Sequence, residues 1–322
     1  MTAEGALLLA SASGFALVSG ANDGATLVAM GTRTRTIRPA VGIAIMMVMV
    51  AVGPLLVGTA VATTLAHRLV SFAGAEGRVA LLAAVMTALV VVFALTRRGT
   101  PTSLTLALTG GIVGAGIGAR LPVEWPVVGK VVLVGFAAPL LSVPAGWLVY
   151  RALRGPVGRL VARRLIRVTQ YVGFVLQCLA YSANDAQKMV AIVAIGTSAQ
   201  LNPVAATVDG QLAIALLFGV GILLTVRVMA GRVGEGVMYI RTPHFIATSL
   251  GSAIVVLATS VLGVPVSSTQ AATGAAVGSG VATSPFSVRW NEVSRIGLAW
   301  VITLPLSIVL AAALAAGGRL LR

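Results

Sequence analysis

Charge, and acid above all, is what this sequence lacks. Only 10% of its 322 residues are Asp, Glu, Lys or Arg, and only eight of those are acidic. A chain that is 58% hydrophobic, with a mean hydropathy of +1.01, has too little polar surface for a soluble globule. The single cysteine, Cys178, excludes an intramolecular disulfide and a thiolate metal cluster. The two histidines, His67 and His244, sit at the ends of apolar segments and offer no proton relay. No Walker-type loop, zinc-ligand spacing or Ser-His-Asp order is present, so ATP drive and hydrolysis lack their residues, and the chain reads as a non-enzyme. The net charge of +15 comes mostly from Arg in short loops without aromatic interleaving, which argues for membrane orientation rather than nucleic acid. The apolar N-terminus lacks the basic leader of a signal peptide and reads as the first membrane element.

What the chain does have is uncharged stretches. Apolar runs of ~20 residues read as membrane-crossing helices, and the longest here, 245–288, is long enough for two passes joined at Gly263-Val264-Pro265. The fold expected is an all-α, multi-pass integral membrane protein. No segment has the polar composition of a separate soluble domain.

The sequence is also written twice. Asn22-Asp23 recurs as Asn184-Asp185, Pro101-Thr102-Ser103 as Pro265-Val266-Ser267, and Val123-Glu124-Trp125 as Val288-Arg289-Trp290, at offsets of 162, 164 and 165. The implied organisation is a first membrane repeat, 1–152, an Arg-rich cytoplasmic linker, 153–163, and a second repeat, 164–322. Each half offers five elements: 5–31, 39–62, 79–96, 101–118 and 126–150, then 168–199, 209–229, 244–262, 266–283 and 293–318. An odd number per half inverts the second repeat relative to the first. With both termini outside, sixteen Arg fall on the inner side and five on the outer, as the positive-inside rule requires. Trp125 and Trp290 read as interfacial anchors. Inverted repeats with broken helices and helical hairpins are a recurring design of secondary carriers, which bind substrate and ions near the bilayer midplane.

Two constellations carry chemistry. Asp23 and Asp185 are the only acids that interrupt apolar segments, and a charge in hydrocarbon calls for a functional explanation. Each follows an Asn and precedes a small residue, so a helix stopping near Gly20 or Ser182 and resuming after the Asp is expected, with exposed carbonyls. Asn22, Asp23, Asn184 and Asp185 then form hard-oxygen sites suited to Na⁺, or to a proton on the carboxylate. A cap on a kinked helix is the alternative; for Asp185, Lys188 stands one turn away as a partner. The second constellation is rich in hydroxyls: Thr102, Ser103 and Thr105 in one half, Ser267, Ser268 and Thr269 in the other. Pro and Ser/Thr in a first helical turn make an anion site of the helix N-terminus. Two such termini from inverted repeats are expected to meet and grip one tetrahedral oxyanion, aided by Gln187. Lys188, Gln270 and Thr26 are secondary candidates, and Lys188 is open between neutralising Asp185, contacting the anion and snorkelling.

At these residues the sequence resembles the inorganic phosphate transporter family. Gly20-Ala21-Asn22-Asp23 and Asn184-Asp185-Ala186-Gln187-Lys188 match its two signature motifs, and Pro101–Leu106 and Pro265–Gln270 partly match its Pro-Ser/Thr-rich pair. Val288-Arg289-Trp290 and the apolar segment after it resemble the family's ending, so the resemblance covers nearly the whole chain. It implies a phosphate symporter, with no cofactor but a coupling Na⁺ or H⁺, working by alternating access in the cell membrane as a homodimer. Phosphate is then placed between the Ser/Thr pair and the cation at the Asn-Asp pairs, with Asp23 and Asp185 as Na⁺ ligands if Na⁺ is the coupling ion. The sequence departs from the family where three motif histidines are Leu106, Gln270 and Tyr181, where a Ser/Thr is Leu104, and where an Asn is Thr26. Those losses argue against a His-based relay and keep sulfate or another oxyanion, or a passive anion channel, as alternatives.

Overall fold

The computed structural model describes residues 3–72, 74–97, 102–155, 163–196, 208–232 and 236–320. Apolar residues in hydrocarbon leave the backbone no partner but itself, so the chain folds into helices. Among the described residues the only β pairing consists of two isolated bridges. In the first half α1 (Ala3–Ser19) runs through a π-turn at Gly20–Gly24 into α2 (Ala25–Arg33), followed by α3 (Pro39–Val57) and the one-turn α4 (Ala60–Thr63). Then come α5 (Gly74–Arg97), α6 (Leu104–Gly118) and α7 (Trp125–Arg154). The second half runs α8 (Arg163–Tyr181), a π-turn at Ser182–Ala186, α9 (Gln187–Gly196), α10 (Val208–Arg232), α11 (Thr242–Val261), α12 (Ser268–Thr283) and α13 (Trp290–Leu320). Among the described residues six helices, namely α3, α5, α7, α10, α11 and α13, are long and apolar enough to cross a membrane. Most of the expected linker, and Pro101 of the first hydroxyl motif, lie outside the described residues.

One expectation is corrected at both Asn-Asp pairs. The helix does not stop and restart; it continues in right-handed geometry through a wider π-turn, and no side chain caps the segment that follows. A π-turn inserts one residue, so the ladder loosens without breaking and the side chains after it rotate onto a new face. The loosened carbonyls are met by neighbours: Thr26 donates to the Asn22 carbonyl at 2.5 Å and Thr225 to that of Ala21 at 2.6 Å. A second difference falls in the 39–62 element, where the long helix ends at Val57 before Gly58, whose φ of +87° suits glycine.

Packing is reciprocal between the halves. α6 lies on α13 and α12 on α7; α5 pairs with α6 and α11 with α12. The first π-turn rests on α10, and the second on α3. Val123 and Val288, which open the recurring triple, each form one of the two isolated bridges, to Val70 and Met238. The crossings of α6 with α13 and of α12 with α7 depend on glycine. A Cβ on Gly114 would stand 2.1 Å from the Ile308 carbonyl oxygen, and one on Gly278 would stand 1.9 Å from that of Val143. Backbone cannot yield as a side-chain tip can, so Gly278→Ala is expected to destabilise the fold by about 1–3 kcal/mol, the usual range for overpacking. A lowered thermal midpoint in detergent checks this.

α6 and α12 have 15 and 16 residues. At 1.5 Å per residue such a helix measures roughly 22–24 Å, short of the ~30 Å hydrocarbon core, so its two ends cannot both reach a surface. Each begins at a serine N-cap, Ser103 accepting from the Leu106 amide at 3.2 Å and Ser267 from the Gln270 amide at 3.3 Å. These two capped tips face the two π-turns.

Candidate functional site

The site is assembled from four pieces of chain far apart in sequence. Asp185, on the second π-turn, accepts from the Ser268 hydroxyl at the start of α12, and its other oxygen pairs with Lys188 at 2.5 Å. The Lys188 ammonium also donates to the Thr105 hydroxyl on α6 at 2.6 Å and to the Val266 carbonyl at 2.8 Å. Thr105 in turn donates to the same carbonyl at 3.2 Å. With three acceptors in reach, all three ammonium protons of Lys188 are used, and the side chain is only 2% exposed. Lys188 therefore neutralises Asp185 and ties the tip of α6 to the segment leading into α12. It does not snorkel.

Asp23 occupies the corresponding place on the first π-turn, buried at 4% exposure. Asn22 donates to its carboxylate at 2.9 Å, the Thr269 hydroxyl stands beside it, and the charges of Asp185 and Lys188 act on it. The residue three positions after Asp23, where Lys188 follows Asp185, is Thr26, whose hydroxyl is turned to the backbone. Among the described residues no ion pair neutralises Asp23. With both carboxylates ionised, two against one ammonium would leave this cluster a net charge of −1.

The remaining candidates divide. Ser103 and Ser267 are helix caps, and Ser267 also exchanges a hydrogen bond with Thr269 at 3.0 Å. Thr102 bonds instead to Thr303 of α13 at 2.6 Å, which anchors the α6 tip from behind. Gln187 is committed elsewhere: its oxygen accepts from the Val61 and Ala62 amides at 2.8 and 3.1 Å, capping α4, and its nitrogen donates to the Ala183 carbonyl at 2.6 Å. Asn184 also acts as a clamp. Its amide nitrogen donates to Ser260 and the Val264 carbonyl, and its oxygen accepts from the Val266 amide, so both ends hold the approach to α12. In this conformation both acceptor positions of the Gln187 oxygen are taken, and the Asn184 oxygen keeps one after the Val266 amide.

Gln270 is the reverse case. It is 2% exposed, its backbone amide is capped, and its side-chain nitrogen has no partner. A buried amide donor without an acceptor is expensive, and this one stands one turn into α12 beside the Asp185 cluster. Sequence reasoning missed the Val266 carbonyl, Ser260, Thr225 and Thr303. Backbone acceptors carry no signal in residue type, and lone hydroxyls in apolar helices are indistinguishable from packing residues.

The sequence pattern of the phosphate transporter family matches this chain over residues 19–159 and 157–311. A protein of Mycobacterium tuberculosis (strain ATCC 25618 / H37Rv) described as "Probable low-affinity inorganic phosphate transporter" is 32% identical over 320 residues, covering 94% of this chain and 74% of that one. A protein of Rhizobium meliloti with the same description is 30% identical over 322 residues, covering 95% and 93%. Among solved structures, one entitled "The sodium-dependent phosphate transporter" superposes over 100% of both chains with a TM-score of 0.84 at 18% identity, a likeness of fold.

Proposed function

Because this chain belongs to the phosphate transporter family, we propose that it is a secondary carrier of inorganic phosphate, driven by co-transport of Na⁺ or H⁺. The observation that carries this reading is the convergence of both Asn-Asp π-turns and both serine-capped helix tips on one buried cluster of two carboxylates and one ammonium, which carries −1 when both acids are ionised. An empty site of that charge repels an oxyanion. A monovalent cation, or a proton, at Asp23 cancels the charge, and only then do the hydroxyls of Thr105, Ser268 and Thr269, the Gln270 amide and the amides of the α12 tip become a favourable anion site. Binding of cation and anion is thereby coupled, and by linkage each raises the affinity of the other.

The site is asymmetric in this reading. Asp185 carries its own tethered cation in Lys188, so Asp23, with Asn22, holds the exchangeable one. Thr105 and Ser268 bond to Lys188 and Asp185 here, so binding of the anion requires them to exchange those partners. The chain is read as two oppositely oriented repeats, 1–152 and 164–322, rocking about this site, with both termini outside and the arginine-rich ends of the helices inside. The family resemblance suggests a homodimer.

Uptake of labelled phosphate and sulfate into proteoliposomes under imposed Na⁺ or H⁺ gradients tests the proposal. Phosphate accumulation that follows one of the gradients is expected. Uptake indifferent to every gradient would mean a passive anion channel, and accumulation of sulfate alone would mean a carrier for a different oxyanion. Gln270→Leu, which reproduces the Leu106 of the other half, removes a donor to the charged anion. A hydrogen bond to a charged group contributes about 1.5–3 kcal/mol, so KM for phosphate should rise by roughly 10- to 150-fold with little change in maximal rate.

A further inference from the structure

Away from the transport site, one end of the protein gathers positive charge without acid. Arg241 stands immediately before α11, and its guanidinium and that of Arg33 both lie over the ring of Tyr239, at 6.0 and 5.9 Å. Arg154, in the last turn of α7, lies over Tyr150 at 5.8 Å, and Tyr150 stacks on His244 with ring centres 4.7 Å apart and planes 6° from parallel. The charges of Arg154 and Arg241 both act on His244. Among the described residues no carboxylate pairs with Arg33, Arg154 or Arg241.

Aromatic faces attract guanidinium groups, but three cations and an imidazole drawn together still repel one another. Two further observations point to what offsets this. The 20-residue α11 begins at Thr242, and its N-cap Arg241 gives no side-chain cap, so the first-turn amides other than Pro243, which has no N–H, lack a capping side chain. His244, in that first turn, is 6% exposed and its Nδ1 has no partner. The uncapped helix start, with Arg241 at its N-cap, thus adjoins an unsatisfied buried imidazole nitrogen, and Arg154 lies over the Tyr150 ring that stacks on that imidazole.

We propose that the N-terminus of α11, with Arg154, Arg241 and His244, is a second anion site, separate from the transport site, that holds the phosphate of an anionic phospholipid headgroup. The surroundings favour a lipid over a soluble ion. Tyr239 is 61% exposed, Trp147 carries Arg151 over its ring at 5.4 Å, and the neighbouring Leu148 is 60% exposed. Basic and aromatic groups above an exposed apolar flank match a headgroup above its acyl chains. The proposal does not depend on which anion is transported.

The test is lipid retention by the full-length protein. Purified protein is titrated with phosphatidylglycerol or phosphatidylcholine, washed, and its bound lipid counted by mass spectrometry. Selective retention of the anionic lipid is expected. Each basic residue near a membrane surface contributes about a factor of five, so Arg154→Gln/Arg241→Gln should weaken retention roughly 30-fold, while Arg154→Lys/Arg241→Lys keeps most of it. Equal retention in wild type and the Gln pair overturns the proposal. Equal binding of both lipids by wild-type protein overturns it without any variant. Displacement of the lipid by millimolar inorganic phosphate would assign the site to a soluble anion instead, and would overturn the lipid assignment.

Discussion

Asp23→Asn is expected to reduce cation-driven phosphate uptake by roughly 100-fold, the upper part of the range for coupling between two ligands, while leaving a folded protein. Asparagine matches the shape of aspartate and keeps an oxygen for Asn22 and Thr269 to meet. What it removes is the one negative charge that the cluster carries in excess of Lys188. With that charge gone, the site no longer needs a cation before it accepts an anion. Phosphate affinity, measured by calorimetry with and without the coupling cation, should therefore differ strongly in wild-type protein and hardly at all in the variant. A variant whose phosphate binding still depends on the cation would move the coupling site away from Asp23. The folded state should survive because no described cation is left stranded by the change, as the monodispersity of the purified variant will show.

Lys188→Met is expected to be worse for the protein than for the mechanism. Removing one member of a buried ion pair leaves the other uncompensated, at a cost of about 3–5 kcal/mol, whereas removing both is often close to neutral. Here the loss also frees the Val266 carbonyl and the Thr105 hydroxyl, which the ammonium joins. Poor expression and a sharply lowered thermal midpoint are expected for Lys188→Met. Asp185→Asn should show a smaller version of the same defect, since a stranded ammonium replaces a stranded carboxylate. The double variant Asp185→Asn/Lys188→Met should recover most of the stability, which a double-mutant cycle on the thermal midpoints measures. If the double variant is as unstable as the sum of the singles, the pair is not the unit that the geometry implies. If Lys188→Met folds well and takes up phosphate with a steeper cation dependence, a second cation has replaced the tethered one.

Much of this was legible in the sequence. Helices in hydrocarbon are obligatory, so the apolar runs located nearly every element; the recurring Asn-Asp and Val-X-Trp fall where helices of the two halves pack in corresponding ways. The four polar segments that the structure brings together were legible too, because a charge or a cluster of hydroxyls in an apolar run is conspicuous by type alone. The form of the chain at Asn22-Asp23 was not. Asn and Asp favour helix ends in water, where their side chains compete for backbone groups. In a packed membrane interior the neighbours Thr26 and Thr225 meet the loosened carbonyls instead, and a π-turn costs less than a break.

Sequence by itself thus determined that this is a multi-pass helical membrane protein with paired polar sites, since those follow from residue type and order. The tertiary structure alone decided which members of the pairs have the same partners. Asp23 and Asp185 look equivalent in sequence, yet only Asp185 has a lysine folded back onto it. Asn184 and Gln187 look like ligands, yet their amides are spent on the Val264, Val266, Val61 and Ala62 backbone. Which donor meets which acceptor is fixed by the distance between segments some 80 to 126 residues apart. That distance is set by helix packing, and no local pattern encodes it.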